Sequence, residues 1–370
     1  MIFKNVTALG EDFKFAARDV AVENGHFAKE TAGEEVDCKG MFIFPGLVDI
    51  HTHGAAGCDN MDANYDAINT ISDFMAKNGV TTYLPTLITQ SKENMKAAAE
   101  NIKKAKAAGV CGAKIGGIYM EGPYFSVKYK GAQNEEYIRN PNAAEFFEIN
   151  DASGGLIRVV SIAPEKESSE EFIKEVSKSV RVAMGHTDAD YETAVGAINA
   201  GVSHLTHTYN AMRGLHHRNP NAIGAALDSD ITCECISDGV HIHPAMVRLL
   251  YKAVGKERLV LVSDSLRSAG MPDGEYDLGG QCTIVKNGQA TLADGTIAGS
   301  SATLFGCVKK AVEFGLPLED AVRAASFNPA KAAGIETVAG VIADGRSADF
   351  LLVDKNLNLK AVYISGKKID

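Results

Sequence analysis

The chain has 370 residues, a net charge of -10 and 45% apolar residues. That balance fits a soluble globular protein with one large domain and a small one. The acidic excess excludes a basic nucleic-acid-binding face, and no apolar run reaches the roughly 20 residues of a bilayer span. The N-terminus, Met1 to Val6, lacks a signal-peptide pattern. Seven scattered cysteines without a Cys-x-x-Cys pair fit reduced thiols in a cytoplasmic protein.

In chain order, residues 1–44 read as short strands, with Asn24-Gly25 as a hairpin turn. The other end, 336–370, is also strand-like over Ala348 to Asp354 and Leu359 to Ser365. The two ends are expected to form one small β-sandwich domain. Between them, 45–335 alternates apolar runs with helical stretches. The expected strands are Leu47–Ile50, Thr81–Leu84, Ile115–Met120, Ile157–Ile162, Arg181–Met184, Ser203–Thr206, Thr232–Ile236 and Leu259–Ser263. Helices are expected over Tyr65–Asn78, Lys92–Ala108, Ser168–Ser179, Asp190–Ala200 and Pro244–Val254, four of them followed by glycine. Repeated strand–helix units imply parallel strands with crossover helices, and eight of them imply a closed (β/α)8 TIM barrel. Turn signals at Gly279-Gly280, Asn287-Gly288 and Asp294-Gly295 mark a β-hairpin insertion near 275–298.

In such a barrel, functional residues gather where strands end. The first expected strand runs into His51-Thr52-His53. Strand residues two apart share a face, so both imidazoles are expected to converge. The third strand ends at Glu121, the fifth at His186 and the sixth at His207; the seventh is followed by Asp238 and His241, and the eighth by Asp264. Each alone reads as a helix cap or a satisfied core histidine. Together they occupy one end of the barrel with metal-ligand and acid–base chemistry, where packing alone would favour apolar residues. His204 falls by strand parity on the barrel exterior. His243 and His26 read as structural.

These residues sit in blocks that resemble the amidohydrolase superfamily and, within it, the N-acetylglucosamine-6-phosphate deacetylases. The superfamily part is Asp37 through Gly54, containing Phe44-Pro-Gly-Leu-Val-Asp-Ile-His-Thr-His, with Ala339 to Phe350 near the end. The narrower part is Met120-Glu-Gly-Pro, Gly185-His-Thr-Asp, Thr206-His-Thr-Tyr-Asn-Ala-Met, Leu215-His-His-Arg, Ser237-Asp-Gly-Val-His, Leu261-Val-Ser-Asp-Ser and Ala298-Gly-Ser-Ser. The resemblance covers essentially the whole chain. It implies that Glu121, His186 and His207 ligate a main divalent metal ion, zinc or iron. It implies that His51 and His53, with Glu121 shared, ligate a second, so that one or two ions bind each subunit. Asp264 is implied as the catalytic acid–base and His241 as the residue polarising the acetyl carbonyl. Asn210 and Ala211 are implied near the phosphate through their backbone amides, and Arg218 as a phosphate ligand reaching a neighbouring subunit of a homodimer. The implied substrate is a small sugar phosphate, with neither nucleic acid nor membrane as partner. The implied reaction releases acetate from N-acetylglucosamine 6-phosphate. The galactosamine isomer and a non-catalytic scaffold on the same fold are the alternatives. A carboxylated-lysine hydrolase is disfavoured because no lysine ends the fourth strand. Departures from the family pattern at Gln133, Arg213 and Asn219 are expected on the sugar-phosphate side, away from the metal.

Overall fold

The computed structural model describes residues 1–370. Both chain ends enter one eight-stranded sheet. Its centre is Phe42–Pro45, which runs parallel to Ile2–Leu9 on one side and antiparallel to Phe350–Val353 on the other. Aromatic packing fills its inner face: Phe350 stacks on Tyr363 at 4.5 Å, and the edge of Phe3 meets Phe350 at 5.0 Å. Gly46 carries the chain from this sheet straight into the barrel.

The barrel strands are β1 (Leu47–Thr52), β2 (Val80–Leu87), β3 (Ile118–Glu121), β4 (Ile157–Ile162), β5 (Arg181–Met184), β6 (Val202–Leu205), β7 (Thr232–Cys235) and β8 (Leu259–Leu261). Each pairs in parallel with the next. Every residue of β1 and β2 is buried, as expected for parallel strands covered on both faces. The seam between β8 and β1 is a single bridge, Thr52 to Ser265, supported by the Asp264 N–H donating to the His51 carbonyl at 2.9 Å. The near-closed barrel and the sheet built from the chain ends agree with the architecture expected from the sequence.

Two apolar layers hold the barrel. Inside, Val48, Ile50, Leu84, Tyr119, Val159, Ala183, Ile236 and Val262 form a compact cluster, plugged at one end by Ala330, Ala333 and Ile335. Outside, a much larger cluster joins the strands to the helices. Fully burying one such aliphatic side chain contributes about 1.5–3 kcal/mol.

The expected strand Ile115–Met120 is broken into Lys114–Ile115 and β3. Gly116-Gly117 lies in the break because a side chain there has no room: a Cβ on Gly117 would sit 2.3 Å from the Arg158 side chain. The insertion after β8 is a three-stranded meander rather than a hairpin, over Gly274–Leu278, Gln281–Lys286 and Gln289–Thr291. The Asn287-Gly288 turn, with both φ values positive at 53° and 74°, folds the chain back a second time. Helices over Ala143–Ala152, Asn221–Leu227, Leu304–Glu313, Leu318–Ala324 and Phe327–Ala332 are additional to those read from the sequence.

Gly46 yields a test of how tightly the sheet joins the barrel. A Cβ there would lie 2.0 Å from Oγ1 of buried Thr81. Gly46→Ala is expected to destabilise the protein by about 1–3 kcal/mol, read as a lower melting temperature in thermal denaturation.

Candidate metal centre

At the C-terminal end of the barrel strands, Glu121 is 1% exposed and lies at the middle of a ring of imidazoles. Its Oε1 is 3.2 Å from His186 Nε2, 3.1 Å from His207 Nε2 and 3.4 Å from His51 Nε2. Its Oε2 is 3.3 Å from His53 Nε2. Asp264 Oδ1 faces the same space, 3.3 Å from His53 Nε2 and 3.5 Å from His51 Nε2. The residues that the strand-end reading picked out therefore converge. His51 is the last but one residue of β1 and His53 lies just beyond it. The register of β1 against β2 shifts between Asp49 and Thr52, so the two rings converge without ideal strand alternation.

Local backbone geometry aims the side chains. His186, His207 and Asp264 have φ of 47°, 24° and 48°. That left-handed region costs a non-glycine residue about 1–2 kcal/mol. The strain is concentrated where the chain leaves β5, β6 and β8, a common placement at functional sites. Partners then fix the rings. His186 Nδ1–H donates to the Tyr129 carbonyl at 3.0 Å, and His51 Nδ1–H donates to Glu234 Oε2 at 2.9 Å. In both rings this leaves the Nε2 lone pair facing Glu121.

The donor set fits a divalent cation. His186 Nε2 and His207 Nε2 approach each other to 3.1 Å, and each is as close to Glu121 Oε1. Tetrahedral ligands at 2.0–2.1 Å from zinc lie about 3.3 Å apart, so these three atoms already have the spacing of one coordination face. His51 Nε2 is buried with no hydrogen-bond partner. Glu121, His186 and His207 form one compact ligand group, and His51, His53 and Glu121 a second. The electrostatics agree. Burial disfavours charge on Glu121, yet the surrounding imidazoles hold its carboxyl well below the usual carboxylate range. Burial likewise disfavours charge on His53, yet Asp264 and Glu121 push its pKa up to about 9. The centre draws positive charge into a buried space, a demand that a bound cation meets.

A cavity of about 510 Å³ opens onto this centre and is lined by His53, Glu121, His186, His207, Asn210, Ala211, His241 and Asp264. His241 is held by Asp238, whose Oδ2 accepts from Nδ1 at 2.8 Å and whose Oδ1 accepts from the His241 backbone N–H at 2.9 Å. The Asn210 backbone N–H is committed to the His207 carbonyl at 2.9 Å, whereas Ala211 N–H has no acceptor within the chain. Lys128, Lys130 and the insertion residues Asp294, Thr296 and Ile297 also line the cavity, none of which the strand-end reading found. Arg218 does not line it and sits exposed on the loop before Asn221–Leu227.

Two expectations need correcting. Gln133 is buried at the metal centre, where its Nε2 donates to Glu121 Oε2 at 2.6 Å and its Oε1 accepts from Thr89 N–H at 3.1 Å. The loop that follows Pro123 folds back over β3, which brings a residue 12 positions downstream onto Glu121. Arg213 pairs through Nε with Asp188, which also bonds Lys128. His204 is 1% exposed and bonds Glu234 Oε1 at 2.9 Å; the register of β5 against β6 shifts beside it, which defeats parity counting. Glu234 itself escaped notice because nothing in Thr232-Cys-Glu-Cys marks it as more than a strand residue.

The amidohydrolase family model matches residues 42–369. The N-acetylglucosamine-6-phosphate deacetylase of Bacillus subtilis is 38% identical over 345 residues, 91% of this chain and 87% of its own length. The N-acetylgalactosamine-6-phosphate deacetylase of Escherichia coli O157:H7 is 37% identical over 328 residues, 88% of this chain and 87% of its own. Among solved structures, a mutant of the Mycobacterium smegmatis N-acetyl-D-glucosamine-6-phosphate deacetylase in complex with N-acetyl-D-glucosamine 6-phosphate superposes with a TM-score of 0.94 at 32% identity. The match covers 100% of this chain and 99% of that one.

Zinc added to metal-stripped protein is expected to raise its melting temperature, with about 2.7 kcal/mol of added stability at a hundredfold excess over Kd. Glu121→Gln, measured the same way, is expected to lose most of that gain.

Proposed function

The chain belongs to the amidohydrolase family, and on that premise we propose that it hydrolyses the acetamide of N-acetyl-D-glucosamine 6-phosphate to acetate and D-glucosamine 6-phosphate. The observation that carries this reading is the buried Glu121 carboxylate shared by two imidazole groups, with Asp264 beside it, at the floor of the cavity. Deacetylase relatives at 37–38% identity over most of the chain give the substrate class. The galactosamine isomer is the second reading, supported by the relative at 37% identity that acts on it.

Glu121, His186 and His207 would hold the main ion, and His51 and His53 with Glu121 a second. A bound divalent ion of the zinc or iron type supplies Lewis acidity, polarising a carbonyl and bringing the pKa of water toward about 7. The chain's own groups do the rest. Burial disfavours charge on Asp264, but His51 and His53 hold it below the usual carboxylate range. It is thus ready as a base to take a proton from the attacking water, and as an acid to return it to the leaving amine nitrogen. Asp238 bonds His241 Nδ1 at 2.8 Å and fixes the ring at the cavity wall, where it polarises the acetyl carbonyl. The loop carrying Asn210 and Ala211 orients the sugar phosphate, with the Ala211 amide as the free donor. Arg218 is exposed and outside its own cavity, which suits a homodimer in which it reaches the neighbouring site. Holding the phosphate fixes the acetamide against the reacting groups. No helix is long and apolar enough to cross a membrane, and seven free cysteines fit a reducing cytoplasm.

Asp264→Asn is expected to retain fold and metal while acetate release falls by about 10²-fold or more; near wild-type turnover removes Asp264 from proton transfer. Arg218→Ala is expected to raise KM for the phosphorylated sugar by about tenfold, the loss of a charge-assisted hydrogen bond. The unphosphorylated sugar should change little, and equal changes for both would remove Arg218 from the phosphate site.

A further inference from the structure

Glu234 lies in β7 between Cys233 and Cys235 and is wholly buried. Every bond its side chain makes leads to the metal centre or to a histidine that supports it. Oε2 accepts from His51 Nδ1–H at 2.9 Å and from the backbone N–H of His207 at 2.9 Å. Oε1 accepts from His204 Nε2–H at 2.9 Å. His204 Nδ1 is held in turn by Thr232 Oγ1 at 2.6 Å. An ionised carboxylate in a dry barrel interior is costly unless its oxygens are satisfied, and here they are.

We propose that Glu234 is a positioning residue for the second metal site, setting the tautomer and direction of His51, with His204 holding Glu234 in place. A neutral imidazole carries one ring proton. With that proton on Nδ1 and bonded to Glu234, the Nε2 lone pair faces Glu121 Oε1 and Asp264 Oδ1, at 3.4 Å and 3.5 Å. Without Glu234 those two carboxylates draw the proton to Nε2, and the ring no longer offers a ligand atom. The negative charge on Glu234 also makes the ring a stronger donor, the usual effect of a carboxylate behind a ligating histidine. His53 has no such support, since its Nδ1 is buried without a partner. The pair therefore depends on His51 for its preorganisation. The bond from Glu234 to His207 N–H is to backbone, at the strained φ of 24°. It anchors the turn that carries His207 and leaves that ring's tautomer alone.

The inference rests on the reading that the centre binds two ions, and zinc titration calorimetry of metal-stripped protein separates the two claims. Glu234→Gln preserves shape: its amide oxygen can still accept from His51 and His207, while the charge is lost. The variant is expected to weaken the second zinc site by about 10- to 100-fold and to leave the first site and the apo-protein's melting temperature nearly unchanged. His204→Gln, which alters no ligand, is expected to weaken the same site selectively. Wild-type protein that binds two ions, with both variants unchanged, overturns the role of Glu234 alone. Equal weakening of both sites, or loss of fold in both variants, makes Glu234 a general structural residue and also overturns it. Wild-type protein that binds fewer than two ions overturns the two-ion reading and this inference with it.

Discussion

One buried carboxylate organises the functional end of this barrel. Glu121 is surrounded by His51, His53, His186 and His207, whose Nε2 atoms lie 3.1–3.4 Å from its oxygens. Bringing this many polar atoms into a dry space carries a large desolvation cost. The arrangement is consistent only if positive charge enters with them. The ligand groups, the acidic Asp264 and the cavity above all follow from that requirement.

The rest of the fold keeps this cluster from relaxing. Strands β3, β5, β6 and β8 bring Glu121, His186, His207 and Asp264 to one end of the barrel, and the Thr52–Ser265 seam closes it beside His51 and Asp264. Left-handed turns at His186, His207 and Asp264 store strain that the surrounding packing sustains. Behind the candidate ligands and His241 stand further partners: Glu234 on His51, the Tyr129 carbonyl on His186, Gln133 on Glu121 and Asp238 on His241. Ligand direction is set largely by such partners. The small sheet contributes indirectly, by fixing the entry of β1 through Phe42–Pro45 and Gly46 and by anchoring Lys114 to Asp349 at 2.8 Å.

The ligand-type residues were legible because each follows an apolar run at the same end of a repeated unit. That pattern requires only the strand period and the direction of parallel strands. What supports them was not legible, for specific reasons. His204 sits in a short strand where a register shift breaks parity, so its direction cannot be counted from sequence, and Glu234 lies between two cysteines in a short strand that nothing else marks. Gln133 reaches Glu121 through a folded loop that has no periodicity at all. The three-stranded insertion was half visible in its turn dipeptides, but its contribution of Thr296 and Ile297 to the cavity is a tertiary fact. Arg218 stands apart: its motif names it, yet it is exposed and lies outside the cavity of its own chain.

The most direct test of a metal-dependent deacetylase centred on Glu121 is acetate release from N-acetylglucosamine 6-phosphate by metal-stripped protein as a divalent cation is titrated back. The account predicts no turnover in stripped protein and recovery in proportion to the metal bound. Stripped protein that releases acetate at the same rate as the reloaded enzyme would contradict it.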